Sequence, residues 1–347
     1  MKIFFADGKG KGHFENLPEP ALKENEILVK ICYCGVCGTD QDLFSGSCSF
    51  AENGQVTYPV RLGHEWSGIV EKVGGRVTKF KNGDRVVGDN AVACGECEHC
   101  ISGNFDKCPN TRYVGTIDPV YDGAFSEYFV IPEHHVYKIP DVISLKEAAL
   151  CEPFSVAYGA TKRMNINSES TVAVIGTGCI GMAAAVLSIC AGAGKTVVIG
   201  RNPEKLKAAK ALGAEIINIR NQDQFEEIDR MTGGKGADFV IECSGAQGTF
   251  TDSINLARGG GIIGLIGFYE KSETDVNVDT IVSKSLNIFG VMGEYGNMSG
   301  VLKILEQKKP NMLPIITDEL NFEDCMKGFV RSNYPNSIKT MIKICEE

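Results

Sequence analysis

The sequence predicts an α/β protein of two parts: a doubly wound parallel sheet in the second half of the chain and a β-rich, barrel-like domain in the first. Three observations predict it. From Thr171 the chain reads TVAVIGTGCIG and then MAAAVLSICA, an apolar run, a glycine turn and a helix-forming run in immediate succession. After that, near-continuous apolar segments alternate with helical ones, the pattern of a parallel sheet covered on both faces. Before it, residues 1 to about 150 carry short β-branched segments broken by Gly and Pro, with no long helical period.

Composition narrows the class. At 347 residues with 43% hydrophobic content, the chain suits two ordinary globular domains with a substantial core. No run approaches the roughly 20 apolar residues of a membrane span. The opening MKIFFADGKGKGHF holds too short an apolar segment for a signal peptide. A net charge of -9 argues against nucleic-acid and anionic-membrane partners. There are 14 cysteines, and four of them crowd between Cys94 and Cys108. Without an export signal, such crowding points to metal binding rather than disulfides, and to a cytoplasmic location.

In the first half, Glu26–Ile31, Gly68–Val73, Arg85–Val87 and Ser126–Ile131 read as strands. The spacing Cys94-x2-Cys97-x2-Cys100-x7-Cys108 suits four thiolates closing a tetrahedral shell around one Zn²⁺ within a single loop. A closed shell has no open position, so this ion would be structural. Spacing alone also allows an iron–sulfur site. A second constellation is dispersed: Cys34 and Cys37 lie in CGVCGTD, and His64-Glu65 lie 27 residues beyond Cys37. Distant Cys, His and carboxylate residues are what a catalytic metal with an open position needs. Cys34-x-x-Cys37 also fits a redox pair, though it precedes no βα unit. His13, His99, His134 and His135 read as surface or structural residues.

In the second half, Gly176-Thr177-Gly178-Cys179-Ile180-Gly181 has the strand and helix flanks of a dinucleotide-binding turn. Gly176 permits the tight turn, Gly178 lets backbone approach a pyrophosphate, and Gly181 lets the helix pack on the strand. The N-terminus of the helix that follows offers its N–H groups to the phosphates, with Ile180 of the turn among the cofactor-binding residues. Thr196–Arg201, Asp238–Cys243, Gly261–Gly267 and Ser285–Met292 read as further strands, Pro203–Leu212 as a helix stopped by Gly213, and 247–257 as a crossover helix. The second strand of an NAD site usually ends on Asp or Glu. Here it ends Gly200-Arg201-Asn202. No carboxylate repels a 2′-phosphate, Arg201 offers a bidentate fork, and Lys205 lies one turn into the next helix, so NADP is expected ahead of NAD.

Taken together, GVCGTD, GHEWSGIVEKVG, NGDRVV, the four-cysteine lobe, DGAFSEYFVIP, CEPFSVAYGA and VIGTGCIG occur in the order of one family. Over essentially its whole length the chain resembles the zinc-containing medium-chain dehydrogenase/reductase family, in its polyol or sorbitol dehydrogenase-like branch. The resemblance implies a Rossmann domain over 155–290 and a GroES-like catalytic domain over 1–154 and 291–347. It implies that Cys37 and His64 ligate the catalytic zinc, with Glu152 where the third ligand falls and Glu65 as a carboxylate that binds the metal in some members. It implies that Thr39 takes the substrate proton, and that Cys94, Cys97, Cys100 and Cys108 hold a structural zinc. Asp42 stands where typical alcohol dehydrogenases carry a relay histidine. The implied reaction is hydride transfer between NADP (or NAD) and a secondary alcohol or ketone, a polyol or sugar alcohol, free or phosphorylated. A threonine-type amino-alcohol dehydrogenase is the nearest alternative, and a non-catalytic zinc- and dinucleotide-binding protein the next. Dimers or tetramers formed through the edge strand near Ser285–Met292 are implied in the same way.

Overall fold

Strand β3 (Glu26–Gly35) is the spine of the first half of the molecule. Its sequence EILVKICYCG has a single residue that is not buried, because the strand is covered on both faces and has neighbours on both edges. The structure is a computed structural model and describes residues 1–47, 49–269, 275–293 and 296–347. The chain folds as two units, Met1–Glu152 together with Asp318–Glu347, and Pro153–Thr317.

In the first unit, a hairpin of β1 (Lys2–Gly8) and β2 (Lys11–Asn16) leads into β3. The main sheet is completed by β4 (Glu65–Val73), β5 (Arg85–Gly88), β9 (Tyr128–Pro132), β10 (Val136–Lys138), β17 (Ile316–Asn321) and β18 (Lys339–Lys343). Its order is β10-β5-β4-β3-β18-β17, with β9 also on β3. Strand β3 is long enough to pair antiparallel with β9 over Glu26–Lys30 and with β18 over Tyr33–Gly35, while β4 occupies its other edge. Two register shifts against β4 bend this strand in the manner of a barrel wall. A small sheet of β6 (Ala91–Val92), β7 (Arg112–Val114) and β8 (Val120–Tyr121) flanks the cysteine lobe.

The C-terminal segment is tied into this unit by aromatic packing. The ring of Phe329 stands 5.2 Å from Phe4, 5.3 Å from Phe44 and 5.1 Å from Phe125. All four rings are buried, and burying each contributes roughly 1.5–3 kcal/mol. That apolar gain, more than any local signal, explains why a segment more than 300 residues from Phe4 returns to it. The return begins later than the sequence suggests. The described residues of 291–317, expected in the catalytic domain, group with the second unit up to the first two residues of β17, because helix α8 (Asn297–Lys308) buries Met298, Val301, Leu302 and Leu305. Glu294 and Tyr295, in the same expected segment, lie outside the described residues.

The second unit contains β11 (Thr171–Ile175), β12 (Lys195–Gly200), β13 (Glu215–Asn218), β14 (Ala237–Glu242), β15 (Ala257–Leu265) and β16 (Asn287–Gly290). All pair parallel in the order β13-β12-β11-β14-β15-β16, so the strand order reverses between β11 and β14. Helices α3 (Cys179–Cys190), α4 (Pro203–Ala211), α5 (Gln224–Thr232), α6 (Thr249–Leu256) and α7 (Val278–Ser283) form the crossovers. Their caps follow the sequence: Asn202 and Asp223 accept the first N–H groups of α4 and α5, and Gly213 and Gly233 take positive φ just past them. The last strand is shorter than the expected 285–292, since Ser285 is itself in a left-handed turn. Among the described residues, no helix is long and apolar enough to cross a membrane.

Candidate active site

Cys37, His64 and Glu65 come together. One ligand atom of each lies within 4.8 Å of the others. Local structure explains the placement. Cys37 caps helix α1 (Gly38–Ser45), where the strand β3 has ended and the backbone turns, and His64 directly precedes β4, which Glu65 opens opposite Gly35 at the end of β3. Gly63, at φ +102, makes the turn into β4, and a Cβ there would lie 2.8 Å from the Phe125 ring.

Asp40 organises the group. It is fully buried, accepts the Cys37 N–H at 2.8 Å and the Gly63 N–H at 3.2 Å, and so fixes the backbone beside both Cys37 and His64. Its Oδ1 stands 3.7 Å from Nδ1 of His64, a buried atom with no hydrogen-bond partner among the described residues. A metal-ligating imidazole commonly keeps its second nitrogen toward a carboxylate, which orients the ring. Burial pushes the Asp40 carboxyl up to about 6, against the pull of His64 and the Cys37 N–H. Burial opposes protonation of His64, yet Asp40 and Cys37 raise its pKa well above the ordinary imidazole range. Thiol, imidazole and carboxylate around one buried point form a donor set that a divalent zinc ion fits.

Glu152, at the start of helix α2 (Cys151–Thr161), lies outside that close trio but within its field. Its Oε1 accepts from Asn90 Nδ2 at 2.5 Å. Burial pushes its carboxyl up to about 7; His64 opposes the rise and Glu65 adds to it. Glu65 is differently held. Lys339 Nζ donates to its two oxygens at 2.7 and 2.5 Å and to the carbonyl of Val36 at 2.9 Å. Thr39 sits in the first turn of α1, half-buried. Asp42, one turn further, is ion-paired with Arg331 at 2.8 Å, and Arg331 Nε also donates to Gln41. Asn90, Lys339 and Arg331 carry no local sequence signal for a place at this site. Asp40 stood inside a quoted motif, whereas Lys339 is 274 residues from Glu65, beyond any local signal. Cys34 is fully buried and separate from the trio.

The second cluster is Cys94, Cys97, Cys100 and Cys108. Sγ–Sγ distances are 3.4 Å for 97–100, 3.6 Å for 94–108 and 3.9 Å for 94–100. Four thiolates at about 2.3 Å from one tetrahedral zinc stand about 3.8 Å apart. A multi-iron cluster would hold the sulfurs farther apart, because its own atoms stand between them. Gly95, at φ +77, turns the loop, Cys97 caps the short helix Glu98–Ile101, and Cys108 ends the turn Phe105–Lys107. His134 packs on this lobe, its ring stacked on Phe105 at 5.1 Å. His135 is buried, with Nδ1 3.0 Å from Asp89 and Nε2 accepting the Ala93 N–H, a structural role as expected.

The glycine turn has the geometry its spacing suggests. Gly176 has φ +117, and a Cβ on Gly181 would stand 2.2 Å from the Gly176 carbonyl oxygen, so helix and turn touch there. Around Gly178 the same added atom meets nothing within 4 Å, which leaves the approach to the N-terminus of α3 open where Cys179 and Ile180 begin the helix. A Cβ on Gly200 would stand 2.4 Å from Thr177 Cγ2, so the end of β12, with Arg201 next, abuts the turn. Asn202 faces a competing duty: its Oδ1 caps α4 at the N–H of Glu204 (3.0 Å) and of Lys205 (3.3 Å). Glu242, fully buried at the end of β14, accepts the N–H groups of Ser244 (2.8 Å) and Gly245 (3.0 Å), holding a loop against Gly176 at the strand-order reversal. This cradle fits a dinucleotide.

Comparison with known proteins agrees with both halves. Residues 23–141 match the profile of the alcohol dehydrogenase GroES-like domain, and residues 179–307 that of zinc-binding dehydrogenases. The chain is 34% identical to sorbitol dehydrogenase of Bacillus subtilis over 92% of its length and 89% of the relative's. It is 32% identical to L-threonine 3-dehydrogenase of Bacillus velezensis over 91% of this chain and 90% of that one. Among solved structures, a putative zinc-binding dehydrogenase from Sinorhizobium meliloti 1021 bound to NADP superposes with TM-score 0.89 at 27% identity, covering 99% of this chain and 98% of the other. With a glycine cradle in one unit, a thiol–imidazole–carboxylate centre in the other, and relatives matched along nine-tenths of the chain, the protein belongs to the zinc-containing medium-chain dehydrogenase/reductase family, in its sorbitol dehydrogenase-like branch, as an alcohol/polyol dehydrogenase.

Proposed function

We propose that the chain oxidises a secondary alcohol of a polyol or sugar alcohol, and reduces the matching ketone, with NADP preferred over NAD. The observation that carries the reading is the buried meeting of Cys37, His64 and Glu65 around Asp40. When bound, zinc supplies Lewis acidity and the nicotinamide the hydride-accepting carbon. The chain's own residues do the rest. Cys37, His64 and Glu152 hold the ion, Asp40 orients the imidazole, and the Thr39 hydroxyl takes the proton the alcohol gives up. Glu65 is the weaker candidate for third ligand, because Lys339 already engages both of its oxygens. The four cysteines of the lobe hold a second, structural ion, for two zinc per chain. Gly176, Gly178, Ile180 and Gly181 cradle the pyrophosphate, and Gly200, Arg201, Asn202 and Lys205 surround the adenosine ribose. That no carboxylate ends β12 supports NADP.

A cytoplasmic location accords with cysteines that are all free among the described residues. A homodimer formed through β16 accords with its place at the edge of the sheet and with exposed Val278, Val282 and Met292 around it in sequence.

The test is a panel of secondary alcohols, sugar alcohols, their phosphates and threonine, each with NADP and with NAD, on protein of measured zinc content. Turnover of a polyol with NADP supports the whole reading. Turnover of threonine alone would replace the substrate class, and better turnover with NAD would remove the Arg201 argument. Glu152→Ala should drop zinc from two to one per chain while Glu65→Gln keeps two; the reverse pattern would exchange their roles.

A further inference from the structure

We propose that Arg220 is a second contact for the 2′-phosphate of NADP, forming with Arg201 a two-arginine clamp; the proposal rests on the NADP reading above. Strands β12 and β13 run parallel and in register, with Gly200 opposite Asn218. The ladder continues one step past them, since the Ile219 N–H donates to the Gly200 carbonyl at 3.0 Å. The two chains therefore leave the sheet side by side, about 4.8 Å apart, and each carries an arginine out of it: Arg201 directly after β12, Arg220 two residues after β13. The backbone around Arg220 is fixed by its own bonds. The Arg220 N–H donates to Asn218 Oδ1 at 3.2 Å, Gln222 N–H to the Asn218 carbonyl at 3.0 Å, and Asn218 N–H to Gln222 Oε1 at 2.9 Å.

Both arginines are exposed, and neither side chain makes a hydrogen bond or ion pair with another described residue. Carboxylates close by in the chain are committed elsewhere. Glu204 pairs with Lys207 at 2.8 Å, Asp223 caps α5, and Glu227 pairs with Arg230 at 2.6 Å. The end of the sheet thus presents two uncommitted guanidinium groups, and Gly200 seats it against Thr177 of the phosphate turn. A ribose phosphate has three peripheral oxygens. One guanidinium fork engages two of them, which leaves the third for a second arginine arriving from the neighbouring strand.

The experiment titrates the zinc-loaded full-length chain, and its Arg201→Gln and Arg220→Gln variants, calorimetrically with adenosine 2′,5′-bisphosphate and with AMP. A charge-assisted contact of this kind is worth about ten-fold in affinity or more. Each variant should lose about ten-fold or more toward the bisphosphate, with AMP binding unchanged in Arg220→Gln, and Arg220→Lys should recover part of the loss. KM for NADP should rise in parallel. If Arg201→Gln weakens the bisphosphate and Arg220→Gln does not, the Arg220 proposal is overturned and the NADP reading stands. If the unmodified protein binds AMP as tightly as the bisphosphate, the NADP reading fails and takes the clamp with it. Loss of AMP binding in Arg220→Gln would show a structural role instead, and would also overturn the proposal.

Discussion

Lys339 and Glu65 form a buried ion pair, 4% and 2% exposed, that joins β18 to the first residue of β4, next to His64. Charges that deep in protein are tolerated only when paired and further hydrogen-bonded, and the Val36 carbonyl supplies a third acceptor for the ammonium. The C-terminal segment is thereby an integral part of the candidate metal centre.

Lys339→Met is expected to strand the Glu65 charge and to destabilise the first unit by about 3–5 kcal/mol. Adding Glu65→Gln should restore much of that loss, because the pair costs desolvation energy that a neutral replacement avoids. Urea unfolding of the two variants beside the unmodified protein measures both steps. A double variant no more stable than Lys339→Met would argue that Lys339 acts through packing alone.

For the cysteine lobe, Cys100→Ser should reduce bound zinc by one ion per chain and lower the thermal midpoint. A loss of about 3 kcal/mol corresponds to roughly 10 °C in a domain of this size. The sulfur spacing of 3.4 to 3.9 Å leads to that expectation. Elemental analysis and calorimetry on one preparation decide it, and unchanged zinc content would remove the structural ion.

His134 provides a pH dependence. Burial, helped by His135, lowers its pKa to about 4 from an ordinary 6.5. Between these values the unfolded chain takes up the proton and the folded one does not. Stability from this residue is therefore complete above about 6.5 and is lost as pH falls toward 4. His134→Phe keeps the stacking on Phe105 and removes the titration. Its urea midpoint should fall less between pH 7 and pH 5 than that of the unmodified protein. Parallel slopes would mean that the ring titrates normally.

The edge strand β16 bears on assembly. Val278 and Val282 lie one turn apart on α7 and are exposed, as is Met292. Val282→Glu should shift a dimer toward monomer at micromolar concentration in light scattering, leaving zinc content unchanged. An unmodified protein that is already monomeric would dismiss β16 as an interface.

Much of this was legible in the residues themselves. The glycine turn, the helix stop at Gly213 and the cysteine lobe are local matters. Their geometry depends on backbone freedom and on spacings of a few residues, so the sequence by itself determined them. Motif order singles out Cys37, His64 and Glu152 as well, through the family resemblance that it carries. Only the tertiary structure decided what surrounds them. Asp40 beneath His64, Lys339 on Glu65 and Phe329 among Phe4, Phe44 and Phe125 are contacts between segments brought together by burial, and burial leaves no periodic mark in the chain. The same holds for the late return to the first unit, which came after α8 because its apolar face found its partners in the second. Short-range steric demands are written along a sequence; the neighbours of a buried charge are set by which strands the hydrophobic effect packs side by side.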